Sequence, residues 1–281
     1  MNLNTVISLD KATNPRVHFI GIGGAGMSGI ARIMLAKGFS VSGSDKNDSS
    51  VLKSLKVLGA QIHIGHSADN LNDCQLVIVS SAILENNPEL VAAKERGIQV
   101  TARAQALAWL MSGLTSIAVA GTHGKTTTTA MLTVALQSAG LDPSFAIGGT
   151  INTAGTNAHN GSGLVFIAEA DESDGSFLAY KPSGAIITNV ELDHVDHFAD
   201  EEAVFKVFEQ FINSIKLDGF LVACGDDLGV QKLLARVKRS DLKVFLYGEG
   251  SNNDYKIERI HLAPTSSIAT VSKGVSRTRI R

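Results

Sequence analysis

Residues 117–129 read I-A-V-A-G-T-H-G-K-T-T-T-T, and this stretch decides the fold of the second half of the chain. An apolar strand leads into Gly121 and Gly124, and Lys125 and Thr126 then begin a helix. Glycines allow backbone N–H groups to surround phosphate oxygens, and the helix N-terminus adds the positive end of its dipole. Lys125 would contact the terminal phosphates of a nucleotide, and the Thr126 hydroxyl would bind Mg²⁺. The stretch therefore predicts a polyphosphate-binding loop.

This loop differs from the general pattern G-x-x-x-x-G-K-[ST], which would need a glycine where the sequence has Val119. The alternative is a structural glycine turn followed by an exposed lysine. Phosphate binding is favoured because the strand, the turn, the Lys-Thr pair and the helix all agree with that mechanism.

Two later apolar strands end in polar side chains. Four acids follow one strand, and an asparagine, two aspartates and two histidines follow the next: Glu169, Asp171, Glu172, Asp174, Asn189, Asp193, His194, Asp196 and His197. The carboxyl ends of parallel strands meet at one edge of a sheet, where Mg²⁺ bound to ATP phosphates needs oxygen ligands. A solvated acidic loop and a hydrogen-bonded corner are the alternatives. From the residues alone, His194 would be a general-base candidate.

A second glycine turn lies near the start of the chain. Gly21-Ile22-Gly23-Gly24-Ala25-Gly26 matches G-x-G-x-x-G between a strand and a helix, and Asp45 ends the next strand. This arrangement predicts a dinucleotide site with an acid near the ribose. The turn itself only guarantees room for a diphosphate at a helix N-terminus, and a UDP-sugar also carries a diphosphate. An inert strand–helix turn is the third interpretation.

Strand-length apolar runs alternate with helical segments through most of the 281 residues. This alternation predicts an α/β protein with parallel sheets: a Rossmann-like domain over residues 1–112 and a P-loop-type α/β domain over residues 113–281. Beyond about residue 260 the pattern fades, and we expect an irregular, solvated basic end. The second domain is therefore expected to be incomplete at its C-terminus.

Net charge limits the expected partners, and cysteine content indicates the cellular compartment. A net charge of −2 gives no electrostatic reason to expect nucleic acid or an anionic membrane. The chain shows no membrane-length apolar run and no secretory signal, and its two cysteines are far apart, which is typical of a cytoplasmic protein with reduced thiols. The oligomeric state is not specified by the sequence.

The quoted motifs together resemble those of the Mur ligases. G-T-H-G-K-T-T-T is similar to their ATP loop, and E-A-D-E-S-D-G-S-F and T-N-x-x-x-D-H-x-D are similar to their other signatures. G-I-G-G-A-G-M-S-G-I-A, with S-G-S-D at 42–45, resembles the UDP-N-acetylmuramate domain of the members that add alanine. The resemblance covers roughly residues 14–260.

The resemblance implies a role for each matching residue. ATP would be bound by Gly121, Thr122, His123, Gly124, Lys125, Thr126 and Thr127. Mg²⁺ would be held by Thr126, Glu169 and His194, which makes His194 a metal ligand and not a base. The catalytic set would be Lys125, Asn189 and His194. The UDP-sugar would be bound by Gly21, Gly23, Gly24, Gly26, Met27, Ser28, Asp45, His66, Ser80, Ser81 and Arg103.

The implied reaction is ATP-driven amide formation for peptidoglycan synthesis. ATP would phosphorylate the carboxylate of UDP-N-acetylmuramate, and L-alanine would attack the acyl phosphate. Because Mur ligases have a further C-terminal domain, we expect this chain to be a truncated product that binds the UDP-sugar, binds ATP weakly and turns over poorly or not at all. An NAD(P)-dependent dehydrogenase and a non-catalytic nucleotide-binding module are the competing hypotheses.

Overall fold

The computed structural model describes residue 9 and residues 15–151, 155–172, 175–193, 198 and 200–280. These residues form two compact units. The first takes in the described residues of Met1–Leu114 and Thr129–Ala168, and the second those of Thr115–Thr128 and Glu169–Arg281. The domain division between residues 112 and 113 stays a prediction.

The first unit begins with alternating strands and helices, as the apolar runs and helical segments of its sequence predict. These elements are β1 (Arg16–Ile20), α1 (Ala25–Ala36), β2 (Ser40–Asp45), α2 (Ser50–Val57), β3 (Gln61–Ile64), a 3-10 helix (Ala68–Leu71), β4 (Leu76–Val79), α3 (Pro88–Glu95), β5 (Gln99–Ala102) and α4 (Arg103–Met111).

The five strands form a parallel sheet in the order β3-β2-β1-β4-β5. The chain moves outward from β1 to β3 and then returns to the other side of β1, so the strand order reverses there. Such a reversal leaves a crevice beyond the carboxyl ends of the strands, where open α/β sheets bind ligands. The first glycine turn directly follows β1, and the predicted Rossmann-like sheet is confirmed.

Among the described residues that follow, the chain continues through ten further strands, three α-helices and a 3-10 helix. Their bounds are β6 (Thr115–Ala120), α5 (Lys125–Ser138), β7 (Ser144–Ile151), β8 (Thr156–His159), β9 (Val165–Glu169), a 3-10 helix (Ser176–Ala179), β10 (Gly184–Ile187), α6 (Glu201–Ser214), β11 (Phe220–Cys224), α7 (Leu228–Arg236), β12 (Lys243–Gly248), β13 (Tyr255–Ala263), β14 (Ser266–Lys273) and β15 (Ser276–Ile280).

In the first unit, α1 also packs against β7 and β8. The amide Nδ2 of Asn157 on β8 donates a hydrogen bond of 2.9 Å to the carbonyl of Ala25, the first residue of α1. Nearby, a Cβ on Gly29 would lie 3.2 Å from the methyl of Ala158. The close approach of this strand to α1 therefore depends on the absence of a side chain at residue 29.

The second unit contains a mixed sheet. β6, β10, β11, β12 and β13 are parallel neighbours in that order, and β14 and β15 then pair antiparallel along the same side. Helix α6 begins after Asp200, whose carboxylate accepts the N–H of Ala203 at 2.8 Å, and Glu201 and Glu202 complement the helix dipole. The predicted α/β class is confirmed here too.

The prediction of an irregular segment after about residue 260 is wrong. β13 continues to Ala263, and β14 and β15 complete an antiparallel meander with a turn at Gly274, where φ is +56°. The two-residue period that identifies a strand is weak there because polar residues occupy both faces. All five residues of β15 are exposed, including Arg277 and Arg279.

Within the described part of the chain, none of the helices combines the length and the apolar content that a membrane span requires.

Aromatic packing against α6 forms part of the core of the second unit. The rings of Phe177 and Phe211 are stacked with centroids 4.6 Å apart, and Phe208 meets Phe177 edge-on at 5.8 Å. All three side chains are completely buried. Such pairs add to the stabilisation that comes from burying their area.

We expect Phe211→Ala to lower the free energy of unfolding by about 3–5 kcal/mol, because it removes a buried ring and leaves a cavity. Urea denaturation monitored by circular dichroism measures this change. Leu217→Ala is the matched control, because Leu217 is 81% exposed and its truncation should change stability by less than about 0.5 kcal/mol. Equal losses in the two variants would contradict the packing described above.

Candidate functional site

The glycine loop after β6 has a backbone that only glycine adopts easily. Gly121 has φ of +135°, and a Cβ there would lie 2.0 Å from the hydroxyl oxygen of Thr188. Gly124, at φ of +80°, then leads into α5. The sequence therefore places glycine at both points where the loop bends sharply, as expected for a phosphate-binding turn.

Side chains that follow β10 hold this loop. Asn189 accepts the backbone N–H of His123 through Oδ1 at 2.8 Å and donates to the carbonyl of His123 through Nδ2 at 3.1 Å. Thr188 donates to the same carbonyl at 2.7 Å. The Thr122 hydroxyl accepts the backbone N–H of Glu191 at 2.9 Å and donates to the backbone carbonyl of Glu191 at 3.2 Å. Asn189 thus has a visible role in shaping the loop, and its catalytic role stays a prediction.

Lys125 lies across this loop and not in solvent. Its ammonium donates to the carbonyls of Gly121 at 2.8 Å and Thr122 at 3.2 Å. It also lies 2.9 Å from each carboxylate oxygen of Glu172, which is only 2% exposed. Burial raises the pKa of Glu172, and the hydrogen bond from Lys125 acts in the opposite direction. The contact with Glu172 thus helps to hold the Lys125 ammonium at the loop. The same ammonium opposes the effect of burial on the pKa of Glu172.

Thr126 and Glu169 bring together oxygen atoms suited to Mg²⁺. The Thr126 hydroxyl donates to Oε1 of Glu169 at 2.8 Å, and the two groups come from the start of α5 and the end of β9. A hydroxyl and a carboxylate are hard oxygen ligands, so this pair fits the predicted metal. His194, the third predicted ligand, lies outside the described residues. No cluster of three or more His, Cys, Asp or Glu suited to a metal occurs among the residues that are described.

Of the remaining predicted ATP-binding residues, three are open to a ligand and one is buried. His123, Gly124 and Thr127 are exposed, and Thr122 is buried beneath the loop. Together with Lys125 and Thr126, they lie at the N-terminus of α5, where the helix dipole favours anions.

The glycine turn after β1 is shaped by the end of β2. Gly21 and Ile22 donate their N–H groups to the carbonyl of Ser44 at 2.9 and 3.0 Å, and Gly23 donates to Oδ2 of Asp45 at 2.9 Å. A Cβ on Gly23 would lie 2.8 Å from that same oxygen. Asp45 therefore binds the turn directly, in addition to facing the space where a ribose was predicted.

A cavity of about 680 Å³ opens beside this turn. Of the residues predicted to bind the sugar nucleotide, those that line the cavity are Gly21, Gly23, Gly24, Asp45, His66 and Ser80. Such a volume accommodates a nucleotide-sized ligand. The structure thus brings six of the eleven predicted residues to one concave surface within the first unit.

The other five predicted residues do not line that cavity. Met27 and Ser28 are buried in α1, and the Ser28 hydroxyl donates to the carbonyl of Ala25 at 3.0 Å. Arg103 lies against Gly26, where an added Cβ would be 3.0 Å from the guanidinium. Ser81 is exposed. Their contact with a sugar nucleotide stays a prediction.

One buried acid in this unit was not found from the sequence. Glu89, in the first turn of α3, is fully buried and accepts hydrogen bonds from Ser44 at 2.5 Å, Asn70 at 2.6 Å and His66 at 3.1 Å. Next to Pro88 and the capping residue Asn87, it reads as an ordinary acid that complements a helix dipole. In the sequence, the only sign of a polar network in this region was the pair of His66 and Asn70, which precede Glu89 by 23 and 19 positions.

Comparisons with known proteins find family matches that cover both glycine turns. The Mur ligase family catalytic domain matches residues 16–115, and the Mur ligase middle domain matches residues 119–280. The chain belongs to the Mur ligase family. The second match extends through the strands at the end of the described chain, so the expectation that the family pattern ends near residue 260 is also wrong.

Curated relatives resemble this Mur ligase over nearly all of its length. The UDP-N-acetylmuramate–L-alanine ligase of Saccharopolyspora erythraea is 52% identical over 269 residues, covering 94% of this chain and 55% of that protein. The enzyme of the same name from Renibacterium salmoninarum is 55% identical over 236 residues, covering 84% of this chain and 51% of that protein. The chain therefore spans about half the length of these relatives.

Two solved Mur ligase structures share the fold. UDP-N-acetylmuramate:L-alanyl-gamma-D-glutamyl-meso-diaminopimelate ligase from Neisseria meningitides matches with a TM-score of 0.83 and 28% identity, over 95% of this chain and 86% of that one. The UDP-N-acetylmuramate-alanine ligase MurC from Thermotoga maritima matches with a TM-score of 0.78 and 28% identity, over 94% and 60%.

The buried acid of this Mur ligase gives a stability prediction that depends on pH. Burial acts to raise the pKa of Glu89, but His18 nearby and hydrogen bonds from Ser44 and Asn70 bring it down to about 2, from an ordinary 4.5. Because the folded-state pKa is the lower one, the ionised carboxylate stabilises the fold above about pH 4.5. This contribution is lost as the pH falls towards 2.

We expect Glu89→Gln to lower the free energy of unfolding by about 3 kcal/mol at pH 7, which is the size of that pKa shift. The difference from the unmodified chain should stay constant from pH 8 to about 5 and shrink below about pH 4.5. Urea unfolding at a series of pH values measures it. A difference that grows on acidification would contradict an ionised, stabilising Glu89.

Proposed function

We propose that this chain carries the nucleotide sites of an ATP-dependent ligase that joins L-alanine to the carboxylate of UDP-N-acetylmuramate. The observation that carries the proposal is the loop Gly121–Thr127, in which Lys125 and Thr126 lie beside two acids, Glu172 and Glu169. The names of the curated relatives support the choice of both substrates. Such a reaction belongs to peptidoglycan precursor synthesis, and a cytoplasmic location is part of the proposal.

The chemistry would proceed in two displacements. A carboxylate oxygen of UDP-N-acetylmuramate attacks the γ-phosphorus of ATP, ADP leaves, and an acyl phosphate forms. The amine of L-alanine then attacks the acyl carbon, inorganic phosphate leaves, and the nitrogen loses a proton. Neither step needs covalent participation by the protein, so positioning and charge compensation supply the catalysis.

Lys125 would supply the positive charge for the first step. Its ammonium is already at the loop, and a phosphate oxygen would replace one of its present acceptors: Gly121, Thr122 or Glu172. Thr126 and Glu169 would hold Mg²⁺, with His194 as the further ligand that the family resemblance supplies. Bound there, Mg²⁺ would offset negative charge on the phosphates.

The cavity beside the first glycine turn would hold the diphosphate of UDP-N-acetylmuramate. The N-terminus of α1 follows Gly24, and an anion is favoured at that position. The competing dehydrogenase hypothesis would use the same turn for NAD(P), but it leaves Lys125, Glu169 and Glu172 without a function.

A second candidate differs only in the attacking amine. The structural match to the Neisseria ligase, at a TM-score of 0.83, favours a tripeptide amine in place of L-alanine. Against it, that ligase is 28% identical to this chain, whereas the curated relatives named for L-alanine are 52% and 55% identical. We therefore propose L-alanine.

Equilibrium binding tests the proposal directly. We expect isothermal titration calorimetry to detect UDP-N-acetylmuramate and, separately, ATP with Mg²⁺, and to detect neither NAD nor NADP. In a mixture of UDP-N-acetylmuramate, ATP, Mg²⁺ and both candidate amines, any product that mass spectrometry detects, however slowly it forms, should be the L-alanine adduct and not the tripeptide adduct. Binding of NAD(P), or of neither nucleotide, would contradict the proposal.

Lys125→Ala should weaken ATP binding by roughly ten- to a hundred-fold, because it removes a charge-assisted contact to the phosphates. Displacement of a fluorescent ATP analogue measures the affinity. Lys232→Ala is the matched control, since Lys232 is more than half exposed and pairs with Glu201 on the surface. Unchanged ATP affinity in Lys125→Ala would show that the loop does not bind the triphosphate.

A further inference from the structure

Glu89 is a completely buried carboxylate with no place in the reaction proposed above. Its oxygens lie at hydrogen-bond distance from three side chains carried by different elements: Ser44 on β2, His66 after β3 and Asn70 in the 3-10 helix. His18 on β1 places its Nε2 3.6 Å from Oε1, too far for a hydrogen bond. A buried acid with this many directed partners fixes the orientation of those partners.

The hydrogen bonds around Glu89 determine which nitrogen of His66 carries a proton. The Ser44 hydroxyl has one hydrogen, which it donates to Oε2 of Glu89 at 2.5 Å. Ser44 Oγ also lies 2.9 Å from Nδ1 of His66, and Glu89 Oε2 lies 3.1 Å from the same nitrogen. Towards His66, both oxygens can therefore act only as acceptors, so Nδ1 must be the donor.

His66 connects this network to the cavity beside the first glycine turn. The imidazole is 20% exposed and lines that cavity, whereas Glu89 beneath it is 0% exposed. Since Nδ1 faces Glu89, the nitrogen on the opposite edge of the ring, Nε2, is the one left for the cavity. In a neutral imidazole protonated at Nδ1, Nε2 is a hydrogen-bond acceptor.

We propose that Glu89 is a positioning residue that fixes His66 in the Nδ1–H form, so that Nε2 accepts a hydrogen bond from an O–H or N–H donor of the bound nucleotide. Ribose hydroxyls and the imide N–H of uracil both have this chemistry. The inference rests on the proposed function in taking a uridine nucleotide as the occupant of the cavity.

The protonated form of His66 would behave in the opposite way. A second proton converts Nε2 into a donor, which suits a phosphate oxygen and not a hydroxyl or imide N–H. The ionisable groups around His66 are Glu89 on α3 and His18 on β1, together with Asp45, Lys46 and Asp48, which line the same cavity. Nucleotide affinity should therefore be lower whenever His66 carries the second proton.

The first test reads the tautomer without any nucleotide. Long-range ¹H–¹⁵N correlation spectra of the ¹⁵N-histidine-labelled chain at pH 8 should show His66 protonated at Nδ1, with the signal assigned by its disappearance in His66→Gln. The same spectrum of Glu89→Gln should show loss of the single tautomer. An Nε2–H form in the unmodified chain would overturn the proposal.

The second test measures binding of UDP-N-acetylmuramate by calorimetry, since its diphosphate is doubly esterified and does not titrate near neutral pH. We expect roughly ten-fold weaker binding for Glu89→Gln and for His66→Gln, and no further loss in the double variant. Glu95→Gln, at the exposed end of the same helix, is the matched control and should bind normally. Additive losses would show that Glu89 acts independently of His66.

Two further measurements keep the outcomes separable. Should Glu89→Gln fail to fold by circular dichroism, the tautomer of the unmodified chain and the loss of affinity in His66→Gln still test the acceptor role of Nε2. With 2′,3′-dideoxy-UDP at pH 8, a ribose donor predicts that Glu89→Gln loses nothing, whereas an imide donor keeps the ten-fold loss. Affinity that rises on acidification would overturn the acceptor role. A chain that binds no uridine nucleotide would refute the proposed function and leave the tautomer to be decided by the spectra.

Discussion

The arrangement of the site in the second unit depends on the hydrogen bonds that the ammonium of Lys125 donates. This ammonium joins two carbonyls of its own loop to the buried carboxylate of Glu172, so the loop, the start of α5 and the segment after β9 are held by one cation. Without a ligand, a lysine in this position would be expected to extend into water. Here the charge stays where a phosphate would need it, and its hydrogen bond to Glu172 opposes the rise in pKa that burial causes in that carboxyl group.

The two glycine turns are built by the same physical means. In each, an acceptor at the end of a neighbouring strand binds an N–H of the turn: Asp45 binds Gly23, and Asn189 binds His123. Glycine is needed at the point of closest approach, because a Cβ on Gly23 or Gly121 would overlap a side-chain oxygen. In parallel sheets, strand ends supply such acceptors along one edge, which is why the polar residues of both sites follow strands.

Much of this organisation could be read from the sequence, because its signals are local. The strand–turn–helix at Lys125 and the acid of Glu169 follow from apolar runs ending in particular residues. Sheet geometry predicted that the acids after β9 lie at the same edge as the loop, and the family resemblance implied that Thr126 and Glu169 share a metal. Glu89 could not be found this way. An acid in the first turn of a helix is ordinary, and its burial depends on residues 19 to 45 positions away in sequence. The strands after residue 260 were missed because neither face is consistently apolar.

The arginines of β15 have a consequence for how the molecule behaves in concentrated solution. In the sequence they looked like a frayed basic end, but Arg277 and Arg279 lie on the outermost strand of the described sheet, with every residue of that strand exposed. An outer strand offers unpaired backbone groups to any similar strand it meets. Two such strands brought together would set guanidinium groups close to one another, so like-charge repulsion opposes aggregation through this edge.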